Sequence, residues 1–153
     1  MKSQRVDILV TSISHRPLAF VEVKNLPHLS EANAVAVRDG LIQELEDTVP
    51  YVMVVSQSTG YLWHLEGDER FGKPAEYGRA QVLDMKPVFR EYLTEVELSQ
   101  HLRGTGLDLI LSHWLGDLAR GRTGVLPGTA GPGPFSQFVS DIRGAHINLE
   151  ALV

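Results

Sequence analysis

The sequence predicts an α/β protein with a mixed β-sheet, in which two strands, a helix and two further strands are followed by helices. Three observations favour this class. Two short apolar runs near the start, 5–11 and 18–24, are rich in Val, Ile, Leu and Phe. A helix-favouring segment and a third apolar run, 51–55, come next. Residues 107–119 then carry apolar side chains over a broad helical face.

The first two runs predict a β-hairpin, because the polar segment 12–17 (SISHRP) separates them. Symmetric pairing about Ser14 and His15 places apolar residues opposite apolar ones, and charged residues opposite charged ones. The predicted pairs are Asp7 with Glu22, Leu9 with Phe20 and Thr11 with Leu18. Two carboxylates would then meet at the end of the hairpin away from its turn.

A helix is predicted after the hairpin and a connector, 25–29. Ser30 is suited to cap it, and the helix-favouring residues run from Glu31 to about Asp47. The apolar stripe consists of Ala34, Leu41 and Leu45, with Arg38 at its margin.

Two more strands are predicted beyond Pro50. The run YVMVV (51–55) is typical of a strand buried on both faces, and YLWHLEG (61–67) follows a turn at 58–60. Residues 67–82 are polar and support no assignment. Helices are predicted at 88–92, 96–102, 107–119 and 135–143, with a short tail after the last one. The Gly- and Pro-rich segment 121–134 predicts a flexible loop.

Composition narrows the classes of protein that the chain can represent. At 153 residues it fits one domain, and the formal net charge of −5 argues against coating nucleic acid by bulk attraction. The absence of cysteine excludes disulfides, thiolate metal sites and a thiol nucleophile. The six histidines lack zinc-ligand spacing. With no signal peptide and no apolar stretch long enough to span a bilayer, we expect a soluble cytoplasmic protein.

Charged residues interrupt the two N-terminal strands, at Asp7, Glu22 and Lys24. Opposed carboxylates repel each other, and partial desolvation raises the cost further. A divalent cation removes this objection, because Mg²⁺ binds one or two carboxylates while retaining several waters. A lysine two residues beyond the second carboxylate can hold the water that attacks a phosphodiester. The alternative is that Asp7 and Lys24 are solvated strand ends, with Glu22 in a salt bridge to Lys24 or Arg5.

The order of these residues resembles the PD-(D/E)xK nuclease superfamily, which has the restriction-endonuclease-like fold. Asp7, fourteen intervening residues and then Glu22-Val23-Lys24 are similar to its motifs II and III, in RVDILV and PLAFVEVKN. The segment VPYVMVVSQSTGYLWHL also resembles the strand pair after the helix in bacterial members. The resemblance covers about residues 5–66.

The resemblance implies metal-dependent hydrolysis of phosphodiester bonds in DNA. It implies that Asp7, Glu22 and the Val23 carbonyl bind Mg²⁺, or Mn²⁺ in its place, and that Lys24 orients the attacking water. Gln43, within GLIQELED, matches a glutamine that the helix often supplies, although it lies nearly opposite the Leu41 and Leu45 stripe. The expected organisation is one nuclease-like domain, 1–153, with core motifs in 1–66. A helical C-terminal extension, 84–153, contains the flexible loop 121–134.

One departure concerns the start of the core. In the superfamily a helix and a strand usually precede the Asp strand, whereas this chain begins at the Asp strand. We expect either that an N-terminal part is missing, or that another element or a partner subunit covers the open strand edge. The alternative function is a non-catalytic interaction module that retains the fold, with a homodimer formed through that edge.

Overall fold

A computed structural model describes residues 5–67, 69–93, 106–129 and 131–152 of the protein. Within these residues the expected mixed α/β architecture is confirmed. The strands are β1 (Arg5–Thr11), β2 (Pro17–Val23), β3 (Tyr51–Val55), β4 (Thr59–Glu66), β5 (Glu76–Tyr77), β6 (Gln81–Asp84), β7 (Gly128–Thr129) and β8 (His146–Leu152). The helices are α1 (Glu31–Leu45), α2 (Lys86–Tyr92), α3 (Leu107–Ala119) and α4 (Phe135–Asp141), and a 3₁₀ turn spans Glu69–Phe71.

The strands form one mixed sheet in the order β7-β6-β4-β3-β2-β1-β8, with β5 paired beside β4. Among the described strands, β2 and β3 form the one parallel pair. Parallel neighbours need a crossover connection, and α1 provides it. The consequence for the site is that β2 and β3 end at the same edge of the sheet.

The predicted hairpin forms, and Leu9 pairs with Phe20 as expected. The expected pair of Thr11 with Leu18 is wrong, since an irregularity between Val10 and Thr11 places Thr11 opposite Pro17. Proline lacks an N–H group, so it is tolerated at the first residue of a strand and beside bulges. The register error is therefore confined to the turn end of the hairpin.

Helix α1 carries the predicted cap and the predicted stripe. The Ser30 hydroxyl accepts a hydrogen bond from the Asn33 N–H at 3.2 Å, and Ala34 and Leu41 are buried. The helix ends at Leu45 rather than near Asp47, because Glu46 adopts a left-handed conformation with φ of 52°.

The sheet is covered on both faces, which explains the continuous apolar runs of β2 and β3. On one face Phe20, Val52 and Val54 pack with α1. On the other face Ala19, Val21 and Met53 pack with residues of α2, α3 and α4. The apolar residues of α3 are buried there as core: Leu107, Ile110, Leu111, Trp114, Leu115 and Leu118.

The C-terminal tail forms a strand, which the sequence did not indicate. Strand β8 pairs antiparallel with the outer edge of β1, with Val10 opposite Ile147, and α3 packs against both strands. Another element of the same chain therefore covers this strand edge, which is one of the outcomes expected from the sequence.

The segment 121–134 contains the short strand β7 and is attached to its surroundings. The Trp114 indole N–H donates to the Val125 carbonyl at 3.1 Å, and the Gln81 amide donates to the Gly131 carbonyl at 3.3 Å. The unassigned segment 67–82 contributes the 3₁₀ turn, β5 and part of β6. The helix predicted at 96–102 lies outside the described residues. In the part of the chain that is described, no helix is both long and apolar enough to cross a membrane.

Candidate functional site

Asp7 and Glu22 lie together at the end of the hairpin away from its turn. The Asp7 N–H donates a hydrogen bond to Glu22 Oε1 at 3.0 Å, and the Val23 N–H donates to Asp7 Oδ2 at 2.8 Å. Each carboxylate thus bonds to the backbone of the opposite strand. The structure brings together the two acids that the hairpin register predicts.

Each carboxylate uses one oxygen in this arrangement. Asp7 Oδ1 and Glu22 Oε2 receive no hydrogen bond from any group that the structure describes. Both side chains are half-buried, yet within the described residues no fully buried side-chain oxygen or nitrogen lacks a partner. The two remaining oxygens therefore reach solvent and can accept a further ligand.

The surroundings of the Glu22 carboxyl group disfavour its ionised form. Burial, and then the negative charge of Asp7, raise the pKa of Glu22 from 4.5 to about 7. The hydrogen bond from the Asp7 N–H and the positive charge of Lys24 lower this pKa, but not enough to offset the other effects. The pair of carboxylates is consequently under-neutralised by the protein groups around it.

Lys24 lies directly after β2, beside the two acids. Its N–H donates to the Val55 carbonyl at 2.8 Å, which extends the pairing of β2 with β3 by one residue. The side chain is half-buried and acts on Glu22 through space, and no ion pair joins Lys24 to Glu22 among the described residues. The salt bridge that would have given Glu22 a purely structural partner is not formed. The Arg5 side chain, the other partner considered, lies outside the described part.

Gln43 is exposed on α1, and no described hydrogen bond joins it to Asp7 or Glu22. The neighbouring Glu44 instead contributes to the site, since its charge also raises the pKa of Glu22. The sequence contained a signal for this residue. Glu44 follows Leu41 by three positions and precedes Leu45, so it borders the buried stripe, whereas Gln43 lies opposite it.

The donor set suits a hard divalent cation. Among the described residues no group of three or more His, Asp or Glu side chains could hold a metal ion. Mg²⁺ nevertheless binds through one or two carboxylates while keeping several waters, and Asp7 and Glu22 supply two. Backbone N–H groups that fix each carboxylate resemble the outer contacts that orient metal ligands.

Comparisons with protein-family models, with curated proteins and with solved structures found no match for this chain.

Proposed function

We propose that the protein is a metal-dependent nuclease of the restriction-endonuclease-like class, which hydrolyses phosphodiester bonds in DNA. The observation that carries the proposal is the geometry of Asp7 and Glu22. One oxygen of each carboxylate is fixed by a backbone N–H, and the other is free and solvent-accessible. Two acids held in this way form a rigid pair of hard ligands.

The electrostatic state of the pair supports a cation as its partner. With the pKa of Glu22 at about 7, two adjacent half-buried carboxylates carry charge that Lys24 alone does not offset. An Mg²⁺ or Mn²⁺ ion bound by both would neutralise this charge and polarise the phosphodiester. The Val23 carbonyl is proposed as a third ligand, on the resemblance alone.

Lys24 is the residue proposed to position the attacking water. Its ammonium group lies near Glu22 without forming an ion pair, so its N–H donors remain available to a water molecule. A cationic donor at this place also favours the negative charge that grows on the phosphate oxygens. Gln43 stays a predicted further contact, and Glu44 is added as a second acid near Glu22.

The topology around the site supports the proposed fold. Strands β1 and β2 form an antiparallel hairpin, which is followed by α1 and then by β3. This is the order of elements that the resemblance implies, and β3 pairs parallel with β2. Strand β8 pairs with the side of β1 away from β2, and α3 packs against both strands, so the edge beside the proposed site is covered.

A non-catalytic interaction module with the same fold is the second candidate. It is favoured by the reciprocal hydrogen bonds, which give both carboxylates a structural role in closing the end of the hairpin. A homodimer formed through a sheet edge would use β8, because β8 covers β1.

Calorimetry with Mg²⁺ and Mn²⁺ tests the proposal, together with cleavage of plasmid and single-stranded DNA. The comparison uses the native protein, Glu22→Gln and Lys24→Ala. We expect Glu22→Gln to lose metal binding and cleavage, and Lys24→Ala to bind metal but not cleave. Glu91→Gln, an exposed acid on α2, should change neither. If the native protein neither binds metal nor cleaves DNA, the nuclease proposal is overturned and the interaction module remains as the candidate function.

A further inference from the structure

A cavity of about 520 Å³ lies beside the start of β4 and the end of β6. Its wall combines apolar surface with one cation, one carboxylate and three hydroxyl groups. The lining residues that matter here are His28, Ser58, Thr59, Asp84, Lys86 and Thr129. The volume falls within the range of small-ligand sites and is sufficient for one nucleotide.

The cavity opens at the same edge of the sheet as the carboxylate pair. A single row of paired residues crosses the sheet at this edge: Val23, Val55, Gly60, Leu83 and Thr129. Neighbouring strands are about 4.8 Å apart, so Leu83 lies about 14 Å from Val23. One nucleic-acid strand advances about 3.4 Å per nucleotide, so this distance corresponds to about four nucleotides.

The charged groups of the cavity are available to a ligand. The Lys86 ammonium and the His28 ring have no hydrogen-bond or ion-pair partner among the described residues, and both residues are exposed. Asp84 Oδ1 accepts the Lys86 N–H at 3.1 Å, which leaves Oδ2 free. The cavity thus offers one cationic donor and one anionic acceptor.

The walls around these groups are held in place. The Ser58 hydroxyl donates to the Pro27 carbonyl at 2.8 Å and fixes the connector that carries His28. On the other side, a Cβ at Gly128 would lie 3.2 Å from Asp84 Cβ, so glycine permits the close approach of β7. The side chain of Val82, which is 39% exposed, adds an apolar surface.

We propose that this cavity binds one nucleotide of the DNA substrate, away from the bond that is cleaved. Lys86 contacts its phosphate, and Asp84 accepts a hydrogen bond from the amino group of its base, as carboxylates do with cytosine. Val82 and His28 contact the face of the base. Bases with an exocyclic amino group are therefore preferred over thymine. The inference rests on the proposed nuclease function, but it concerns a separate set of residues.

NMR titration of the ¹⁵N-labelled protein with dCMP, dTMP and inorganic phosphate tests the proposal. We expect dCMP to shift the backbone signals of Thr59, Asp84 and Thr129, and to bind about tenfold more tightly than dTMP, which is the size of one base-edge contact. Asp84→Asn should abolish the preference for dCMP over dTMP. Lys86→Ala should weaken the binding of both nucleotides by the same factor. Asp39→Asn, which removes an exposed acid on α1, serves as the control and should change neither the preference nor the affinity.

The outcomes separate this proposal from the nuclease function. If nucleotides leave the cavity signals unchanged while Mg²⁺ binds at Glu22, the nucleotide site is wrong and the metal site stands. If dCMP binds as expected but no metal binds, the nucleotide site stands without nuclease chemistry. Equal binding of dCMP, dTMP and inorganic phosphate would overturn the proposal in favour of simple anion binding. The comparison of dCMP with dTMP uses the native protein and does not depend on any variant folding.

Discussion

Asp7 and Glu22 bond to each other's strands: the Asp7 N–H donates to the Glu22 carboxylate at 3.0 Å, and the Asp7 carboxylate accepts the N–H of Val23 at 2.8 Å. These two bonds take the place of regular pairing at the open end of the hairpin. They hold two acids side by side in a half-buried position that disfavours the charge of Glu22. The same contact therefore serves the fold and creates the under-neutralised pair on which the proposed function depends.

Glu22→Gln should stabilise the protein at alkaline pH. The folded-state pKa of Glu22 is raised from 4.5 to about 7, so the folded protein holds this proton more tightly than the unfolded chain does. Stability from Glu22 is fully present below pH 4.5 and declines as the pH rises through about 7. Gln keeps the acceptor for the Asp7 N–H and carries no charge. We expect the Glu22→Gln variant to be more stable than the native protein by roughly 2 kcal/mol at pH 8, and the two proteins to be equally stable at pH 4.

Urea unfolding across this pH range measures the difference between the two proteins. Glu91→Gln removes an exposed acid and is the control, with no such pH-dependent gain. A constant difference between Glu22→Gln and the native protein at all pH values would contradict the raised pKa.

Asp7→Asn should lower the pKa of Glu22. The negative charge of Asp7 is the second contribution to that pKa after burial, and the variant removes the charge while retaining an oxygen for the Val23 N–H. Burial remains, so the pKa should fall below about 7 and stay above 4.5. A ¹³C NMR titration of the Glu22 carboxyl group measures it. Asp39→Asn, an exposed acid on α1, should leave the midpoint unchanged. An unchanged midpoint in Asp7→Asn would show that the two charges are not coupled.

Tyr51→Phe should destabilise the fold without affecting the site. The buried Tyr51 hydroxyl donates to Asp141 Oδ2 at 2.6 Å and links β3 to the end of α4. Burial, together with Asp141, holds the pKa of Tyr51 above its usual value, so the hydroxyl remains a donor at neutral pH. Loss of one hydrogen bond to a charged group costs about 1.5–3 kcal/mol. Urea unfolding of Tyr51→Phe, Asp141→Ala and the double variant tests this. Additive losses in the double variant would mean that the two residues do not interact.

Gln81→Leu should destabilise the protein through the segment 121–134. Gln81 is 6% exposed, accepts the Phe135 N–H at 2.7 Å and donates to the Gly131 carbonyl. Leucine leaves the Phe135 N–H without a partner, which costs about 1–3 kcal/mol. We expect a lower urea midpoint and faster proteolysis within 121–134. Gln137→Leu, at an exposed position of α4, is the matched control. Equal stability of the two variants would show that Gln81 does not anchor this segment.

The hairpin, α1 and β3 could be predicted because their signals are local. Ser30 caps α1 as its position indicates, and Leu9 meets Phe20 because alternation fixes which faces can pair. The sequence does not predict the change in strand register between Val10 and Thr11, because turn geometry depends on backbone angles such as the positive φ of His15. The predicted end of α1 near Asp47 lies two residues beyond the observed end, because Glu46 adopts a left-handed backbone conformation.

By itself, the sequence determined that Asp7 and Glu22 share one end of a hairpin, since strand periodicity and two short runs suffice for that. Only the tertiary structure decided that β8 covers β1, that the charge of Glu44 acts on Glu22, and that each acid accepts a hydrogen bond from a backbone N–H. The Asn148 amide donates to the Leu9 carbonyl across 139 positions of the chain. No local pattern encodes such a partner, because the two residues become neighbours only when β8 pairs with β1 in the folded sheet.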